Sequence, residues 1–270
     1  MKRESKTVGI LAIGNEVLDG VVLDTNSNWM ELRLVAQGAH IKRLVSVRDE
    51  LDEIREALNF LRDSCDIIIT TGGLGPTHDD MTLKAIGKAI GRKVVENSDA
   101  LSIVKRQYQS LYERGIVSSP DITEARRKMA HIPEGATPLD NRVGGAPGVM
   151  IQLEEVVIFC LPGVPSELKF IFEDSIVPWI IENVTQRFYE KVVEFGIHDE
   201  SVFSPAIDIA MKKHPGVYVK SMPKTYGTSK TLRVWVSARG NDNQDLKELV
   251  KNTIRELEKV TGLTSTPVEE

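Results

Sequence analysis

Only two cysteines, Cys65 and Cys160, stand in the 270 residues, each at the flank or end of an apolar strand. Neither has a second Cys or a His at zinc-site spacing, which excludes a zinc centre and leaves buried thiols as the expectation. Dense Lys/Arg blocks are also missing. With 34 basic residues against 39 acidic ones and a formal net charge of −5, the chain has no electrostatic footprint for a polynucleotide, so nucleic acid is not expected as a partner. No apolar run is long enough to span a bilayer. The charged start, Met1-Lys2-Arg3-Glu4-Ser5-Lys6, leads into a strand without the apolar segment of a signal peptide, so a cytoplasmic protein with no membrane partner is expected. There is no internal repeat and no low-complexity tract. A chain of this length outgrows a single core, and one large and one small domain are expected.

What the chain does have is concentrated in residues 66–80, Asp66-Ile67-Ile68-Ile69-Thr70-Thr71-Gly72-Gly73-Leu74-Gly75-Pro76-Thr77-His78-Asp79-Asp80. An apolar strand runs into a glycine-rich loop that ends in two adjacent carboxylates at the start of a helix. Gly72, Gly73 and Gly75 allow backbone N–H groups to turn toward a bound anion, and the following helix adds its positive end, so the loop reads as a phosphate cradle. Two carboxylates repel a bare phosphate unless a divalent cation lies between them. Phosphate plus metal points to a nucleotide or a phosphorylated cofactor. The simpler alternative has Asp79 or Asp80 capping the helix of residues 81–86, worth about 1 kcal/mol, with the glycines in an ordinary turn. A cap, however, needs one acid and no glycine run.

Up to about residue 90, short apolar runs alternate with helical periodicity, the pattern of βαβ units on a parallel sheet. Strands are predicted over 8–13, 40–47 and the run before Gly72. Helices are predicted over 26–37, with Trp29, Leu32 and Ala36 on one face and Gly38 at the C-terminal cap, and around Leu51, Ile54, Leu58 and Leu61. Open α/β sheets hold ligands at strand C-termini, and three of these are directed at one region. Further helices are expected over 97–114 and 122–129, and a hairpin pairs 149–151 with 156–159 over Glu154-Glu155. A strand–turn–helix at Leu161–Glu167 brings a second helix N-terminus to the same cleft. Near Tyr189 the pattern becomes strand, helix, strand, strand, helix, with Pro205 at the first helical position after Ser204. The expected division is an α/β domain over 1–185 with a mostly parallel sheet, a small α+β accessory domain over 186–263 without catalytic residues, and a frayed polar tail over 264–270.

Acids also gather at the other strand ends. Glu16 and Asp19 follow strand one, Asp24-Thr25-Asn26-Ser27 opens the first long helix, and Asp49 follows strand two. If the sheet order brings these loops beside the glycine loop, Glu16, Asp24, Asp49, Asp79 and Asp80 surround one cleft, a donor set suited to Mg²⁺ or Mn²⁺ rather than zinc. Each has a plainer reading: Asp24 and Asp49 as helix caps, Glu16 and Asp19 as solvated loop charges. Arg127 and Lys128 either clamp a distal phosphate or ribose or form a solvated helix face. His78 either contacts substrate or, as a lone histidine in an acidic loop, makes a structural hydrogen bond, the second being the expectation.

The runs Gly14-Asn15-Glu16, Asp24-Thr25-Asn26, Thr70 through Asp80, Pro133-Glu134-Gly135-Ala136, Ala146-Pro147-Gly148 and Leu161-Pro162-Gly163-Val164-Pro165-Ser166-Glu167 together resemble the N-terminal part of CinA, the competence/damage-inducible protein family. That part belongs to the wider MoaB/Mog family of molybdopterin-binding domains. The motifs occur in order over about 160 residues, and Phe195-Gly196-Ile197 is similar to the start of the small domain that follows in CinA. The resemblance implies a three-layer α/β/α fold and, for this part of CinA, a metal-dependent ADP-ribose pyrophosphatase activity. In the molybdenum-cofactor relatives it implies a cleft that binds molybdopterin, with adenylyl transfer or metal insertion there. Carried over residue by residue, the relatives' two functional aspartates match Asp49 and Asp80. Asn15 stands where related proteins often have Asp, which removes a metal role from that position and leaves Glu16. Bacterial CinA proteins commonly continue into a nicotinamide-mononucleotide deamidase domain, whose activity is not expected here. Self-association is usual in the superfamily, so a homo-oligomer is expected.

The residues permit hydrolysis of a pyrophosphate bridge. Backbone N–H groups from Gly72 to Gly75 and one divalent ion, Mg²⁺, Mn²⁺ or Co²⁺, neutralise charge on the phosphoryl oxygens while a carboxylate orients water. Asp80, Asp79 and Glu16 are the candidate metal ligands, and Asp24 or Asp49 the candidate for the water. Asn15, Thr25, Asn26, Ser27, Thr71, Gly72, Gly73, Gly75, Pro76, Thr77 and Gly163 are the candidate phosphate and substrate contacts. Two other functions stay open: a module that binds a pterin or nucleotide without turnover, and a cofactor-assembly enzyme that adenylylates molybdopterin.

Overall fold

Runs of β-branched and apolar residues bounded by turn formers become strands, and a computed structural model of the chain, describing residues 6–223 and 230–268, arranges them in two principal sheets. Met1–Ser5, the charged lead into the first strand, and the last two residues of the tail lie outside the described residues. Two compact units are present, Met1–Val35 with Ala39–Val184, and Ala36–Gly38 with Thr185–Glu270. Among the described residues no helix is long and apolar enough to cross a membrane.

The elements up to Asn183 are β1 (Thr7–Ile13), α1 (Asn15–Leu18), α2 (Thr25–Ala36), β2 (His40–Val47), α3 (Leu51–Arg62), β3 (Ile67–Thr71), α4 (Thr82–Ile90), β4 (Val94–Glu96), α5 (Ser98–Glu113), α6 (Glu124–Lys128), β5 (His131–Pro133), β6 (Thr137–Leu139), β7 (Gly148–Gln152), β8 (Val157–Leu161) and α7 (Pro165–Ile171). Helix α7 runs through a π-helical turn (Phe172–Ile176) into α8 (Val177–Asn183). The central sheet has the order β2-β1-β3-β8-β7-β6. Its first four strands are parallel, and β7 and β6 are added antiparallel.

Alternation along each strand sorts the side chains onto two faces. Leu11, Ile13 and Ile68 pack with Ile54, Leu58 and Leu61 of α3 and with Ala85 and Ile86 of α4. Val8, Ile10, Ile67 and Ile69 pack with Met30 and Leu34 of α2, and with Leu168, Phe172, Ile176 and Ile180 along α7 and α8. The result is the three-layer α/β/α arrangement with a mostly parallel sheet. Each large side chain buried on either face contributes roughly 1.5–3 kcal/mol. Cover on both faces explains why these strands read as unbroken apolar runs. Cys65 and Cys160 are both buried free thiols. Burial pushes the Cys160 thiol up to about 12, which keeps it protonated and unreactive.

The second unit comprises β9 (Arg187–Phe195), α9 (Glu200–Lys213), β10 (Val217–Met222), β11 (Leu232–Gly240), α10 (Asn243–Thr261) and β12 (Ser265–Pro267). Its antiparallel sheet has the order β10-β11-β9-β12. Two expectations are corrected here. Residues 265–267 are not frayed: Ser265 stands opposite Phe195 and Pro267 opposite Val193. The free edge of β9 offers backbone donors and acceptors, which a polar segment satisfies as well as an apolar one. Pro205 lies inside α9 rather than at its start, because Asp199 caps the helix upstream by accepting from the Ser201 N–H at 2.9 Å. The proline forfeits the bond to the Ser201 carbonyl.

Candidate functional site

Parallel β2, β1, β3 and β8 end at one edge of the sheet, and the loops that follow them line a cleft of about 430 Å³. Gly14 and, on α1, Glu16 follow β1, Asp49 follows β2, Gly72–Pro76 with Asp79 and Asp80 follow β3, and Pro162–Val164 with Glu167 on α7 follow β8. Open parallel sheets hold ligands at such a place.

Gly72 has φ +104°, and a Cβ there would lie 2.1 Å from the Ile13 carbonyl oxygen, so only glycine lets β3 turn this closely against β1. Its N–H donates to the Leu161 carbonyl at 3.0 Å and is spent, which corrects the expectation that the cradle begins at Gly72. Among the described residues the N–H groups of Gly73, Leu74 and Gly75 take no protein acceptor, and these three residues line the cleft. Thr82 holds the loop from behind: its hydroxyl donates to the Gly72 carbonyl at 2.9 Å and its N–H to the Gly73 carbonyl at 3.2 Å.

Helix α4 has Met81 at its N-cap with no side-chain capping bond, so neither Asp79 nor Asp80 caps it. Asp80 Oδ2 accepts instead from the Thr77 N–H at 2.8 Å and from the Thr77 hydroxyl. A Cβ on Gly75 would come within 2.7 Å of that oxygen. Thr77, expected to touch substrate, thus serves to hold Asp80. Hydrogen bonding by the Thr77 side chain and by its own backbone N–H, with the charges of His78 and Lys128, keeps the Asp79 carboxyl below the usual carboxylate range.

Asp49 Oδ2 accepts from the Asn15 N–H at 2.9 Å. Burial pushes the Asp49 carboxyl up, the Asn15 bond opposes this, and the charges of Glu16, Asp79 and Asp80 push it up further. Four acids therefore share one field. Asp49 does not cap α3, whose N-cap is Glu50 without a side-chain bond. Asn15 does not line the cleft; its backbone orients Asp49 and its Oδ1 accepts from Arg48 at 3.4 Å.

The Asp24–Ser27 segment departs from expectation. Asp24 Oδ1 accepts from the Ser27 N–H at 2.9 Å, the geometry of a helix cap, and Asp24 lines, with Thr25, Asn26 and Thr71, a recess of about 110 Å³ that adjoins the cleft through Ile13, Glu16, Gly72 and Gly163. Ser27 is 1% exposed and lines neither cavity. Asn26 ties α2 to the sheet loops, donating to the Gly163 carbonyl at 2.8 Å and to Thr71 Oγ1 at 3.4 Å.

Arg127 pairs with Glu96 at 2.7 Å and does not reach the cleft. Lys128 donates to the Thr77 carbonyl and, with Lys84, lines a recess of about 310 Å³ that shares Gly73, Leu74, Gly75 and Asp80 with the cleft. His78 is 99% exposed and makes no structural hydrogen bond among the described residues. Among those residues, too, no three His, Cys, Asp or Glu side chains gather into a cation site. The carboxylates present are hard oxygen donors that fit Mg²⁺-class ions, which commonly take one or two carboxylates and complete their shell from substrate phosphates and water.

Glu167, Asn141, Gly144 and Tyr108 were not picked out by the sequence. Glu167 stands within the Leu161–Glu167 motif, whose helix N-terminus was expected to face the cleft. It lies in the first turn of α7 and lines the cleft. Tyr108 packs against Gly145, with the Arg126 guanidinium stacked 3.9 Å from its ring centre.

Residues 9–182 match the family described as the probable molybdopterin binding domain. A protein of Thermococcus kodakarensis is 35% identical over 91% of this chain and 97% of its own length, and one of Caldivirga maquilingensis is 40% identical over 92% and 94%. Among solved structures, CinA of Thermoplasma acidophilum, a protein described as of unknown function, is 34% identical with a TM-score of 0.60, matching 66% of this chain and 100% of that one.

Proposed function

Because the chain belongs, through residues 9–182, to the family of probable molybdopterin-binding domains, we propose that its cleft binds a nucleoside diphosphate ester and hydrolyses the pyrophosphate bridge, with ADP-ribose as substrate. The observation that supports this reading is the meeting, in one cleft, of three unspent backbone N–H groups at Gly73–Gly75 with the carboxylates of Glu16, Asp49, Asp79 and Asp80. The donors cradle the pyrophosphate oxygens and stabilise the charge that builds on them. A divalent ion of the Mg²⁺, Mn²⁺ or Co²⁺ class, held by Asp80 with Asp79 or Glu16, supplies further charge neutralisation there. Asp49 accepts a proton from the attacking water, a task suited to a carboxyl raised above its usual range. The water oxygen bonds to the adenosine-side phosphorus as the bridging P–O bond breaks. AMP forms, and the electron pair leaves on ribose 5-phosphate.

Membership of the family favours a second reading, in which the same cradle holds the phosphate of a pterin and the cleft binds it or transfers an adenylyl group to it. Incubation with ADP-ribose, FAD, NAD or ATP plus each metal separates the two. Hydrolysis releases AMP from ADP-ribose without any pterin. On the second reading, ADP-ribose stays intact and ATP is consumed only when molybdopterin is present.

A further inference from the structure

One carboxylate in the cleft plays no part in that chemistry, yet a buried framework is arranged to hold it. Glu167 Oε2 accepts from Asn141 Nδ2 at 2.7 Å. Asn141 is fully buried, and every hydrogen-bonding site of its side chain is used. Its Nδ2 also donates to the Ala146 carbonyl at 2.7 Å, and its Oδ1 accepts from the N–H groups of Val143 at 2.9 Å and Gly144 at 3.0 Å. Buried Gln107 fixes the same loop from behind, donating to the Gly144 carbonyl at 3.0 Å. A Cβ at position 144 would lie 1.9 Å from Glu167 Cδ, so the carboxylate sits directly over Gly144 and a larger residue there would push it aside.

The first turn of α7 favours an acid, but the other structural roles of such a residue are missing. The N-cap of α7 has no side-chain bond, so Glu167 does not cap the helix, and among the described residues it forms no ion pair. Its second oxygen, Oε1, has no hydrogen-bond partner among those residues. That oxygen is open to hydrogen bonds from the neutral donors of a ligand. It also repels phosphate, so the part of the ligand beside it is uncharged.

In the order β2-β1-β3-β8, Asp49 follows the first strand, the glycine loop the third and Glu167 the fourth. At ~4.8 Å per strand, the two outer acids are separated by about 14 Å at the sheet, with the phosphate cradle between them. A nucleoside diphosphate has the same sequence of parts, sugar then phosphates. Resting on the pyrophosphate reading above, we propose that Glu167 is the residue that recognises the sugar. Its carboxylate accepts hydrogen bonds from the vicinal 2′- and 3′-hydroxyls of the ribose whose 5′-diphosphate lies on Gly73–Gly75. Carboxylates recognise ribose hydroxyls in this way in dinucleotide folds.

The test is titration calorimetry of the full chain with ADP, 2′-deoxy-ADP and 3′-deoxy-ADP in the presence of Mg²⁺. The wild type should bind ADP at least about tenfold more tightly than either deoxy analogue, and Glu167→Gln should reduce that preference below about threefold. Glu167→Asp keeps the charge on a shorter stem, so it should bring the ratio to an intermediate value, and it serves as the test if Glu167→Gln does not fold. Equal affinities in the wild type, or an undiminished preference in the variants, would overturn the assignment. The hydrolytic reading fails separately: a ribose preference without AMP release from ADP-ribose removes the chemistry and leaves Glu167 as the sugar-recognising residue.

Discussion

Asp80 carries the most specific expectation at the scale of a single residue. One of its oxygens is bonded to the N–H and hydroxyl of Thr77, and an asparagine retains an acceptor for that position. Replacing it with Asn should therefore leave the melting temperature nearly unchanged. Loss of a preorganised negative charge at a phosphoryl transition state should lower turnover by on the order of 100-fold or more. Unchanged turnover, measured as AMP release, would reduce Asp80 to a loop brace. Asp49 sets the pH dependence. Its carboxyl is raised by burial and by the charges of Glu16, Asp79 and Asp80, so activity that needs it ionised should fall at a pH above the ordinary aspartate value of about 3.9. Glu16→Gln removes one of the raising charges, and a carboxyl-carbon NMR titration of metal-free protein should show the Asp49 transition moving down. For stability the sign is opposite. The folded chain holds the protons of Asp49 and Glu167 more tightly than the unfolded chain does, so these groups favour folding below their unfolded values, and that contribution is lost as pH rises through their raised ones.

At the scale of elements, the turn from β3 into the glycine loop is the most constrained point of the site. Gly72→Ala would demand a positive φ and place a methyl group 2.1 Å from the Ile13 carbonyl. A loss of about 3 kcal/mol or more is expected, read as the shift in a denaturation midpoint, together with weaker phosphate binding. A cost below about 1 kcal/mol would mean that the loop is not held against β1 as described. The glycines, the apolar strands and the acids after them were legible in the sequence because each has a local signature. What was not legible depends on pairing between distant residues. That the Gly72 N–H is taken by Leu161 follows from β3 lying beside β8, 90 positions along the chain, and no local pattern announces it. Asp24 shows the converse: the cap was among its possible readings, and the bond it accepts from the Ser27 N–H is local enough for the sequence to show. Likewise β12 escaped notice because an edge strand satisfied by backbone bonds needs no apolar alternation.

At the scale of the molecule, all the cleft residues named above lie in the first unit, and the family match ends at residue 182. A truncation after Val184 should keep ADP-ribose affinity within about threefold by calorimetry. Complete loss of binding by a folded truncation would place part of the site in the second unit. The βαβ alternation and the change of pattern near Tyr189 made this division readable in advance, since each unit has its own periodicity and its own core. Glu167 was missed at this scale too, because its meaning depends on a loop folded from residues 141–146, which the sequence shows only as a run of turns.

The measurement that tests the central claim most directly is chromatographic analysis of ADP-ribose incubated with the purified chain and Mg²⁺, Mn²⁺ or Co²⁺, beside an EDTA control and the Asp80→Asn variant. Stoichiometric AMP and ribose 5-phosphate should appear with at least one metal, vanish with EDTA and drop by about 100-fold or more in the variant. Intact ADP-ribose with every metal, at protein concentrations where calorimetry shows it bound, would contradict the hydrolytic account.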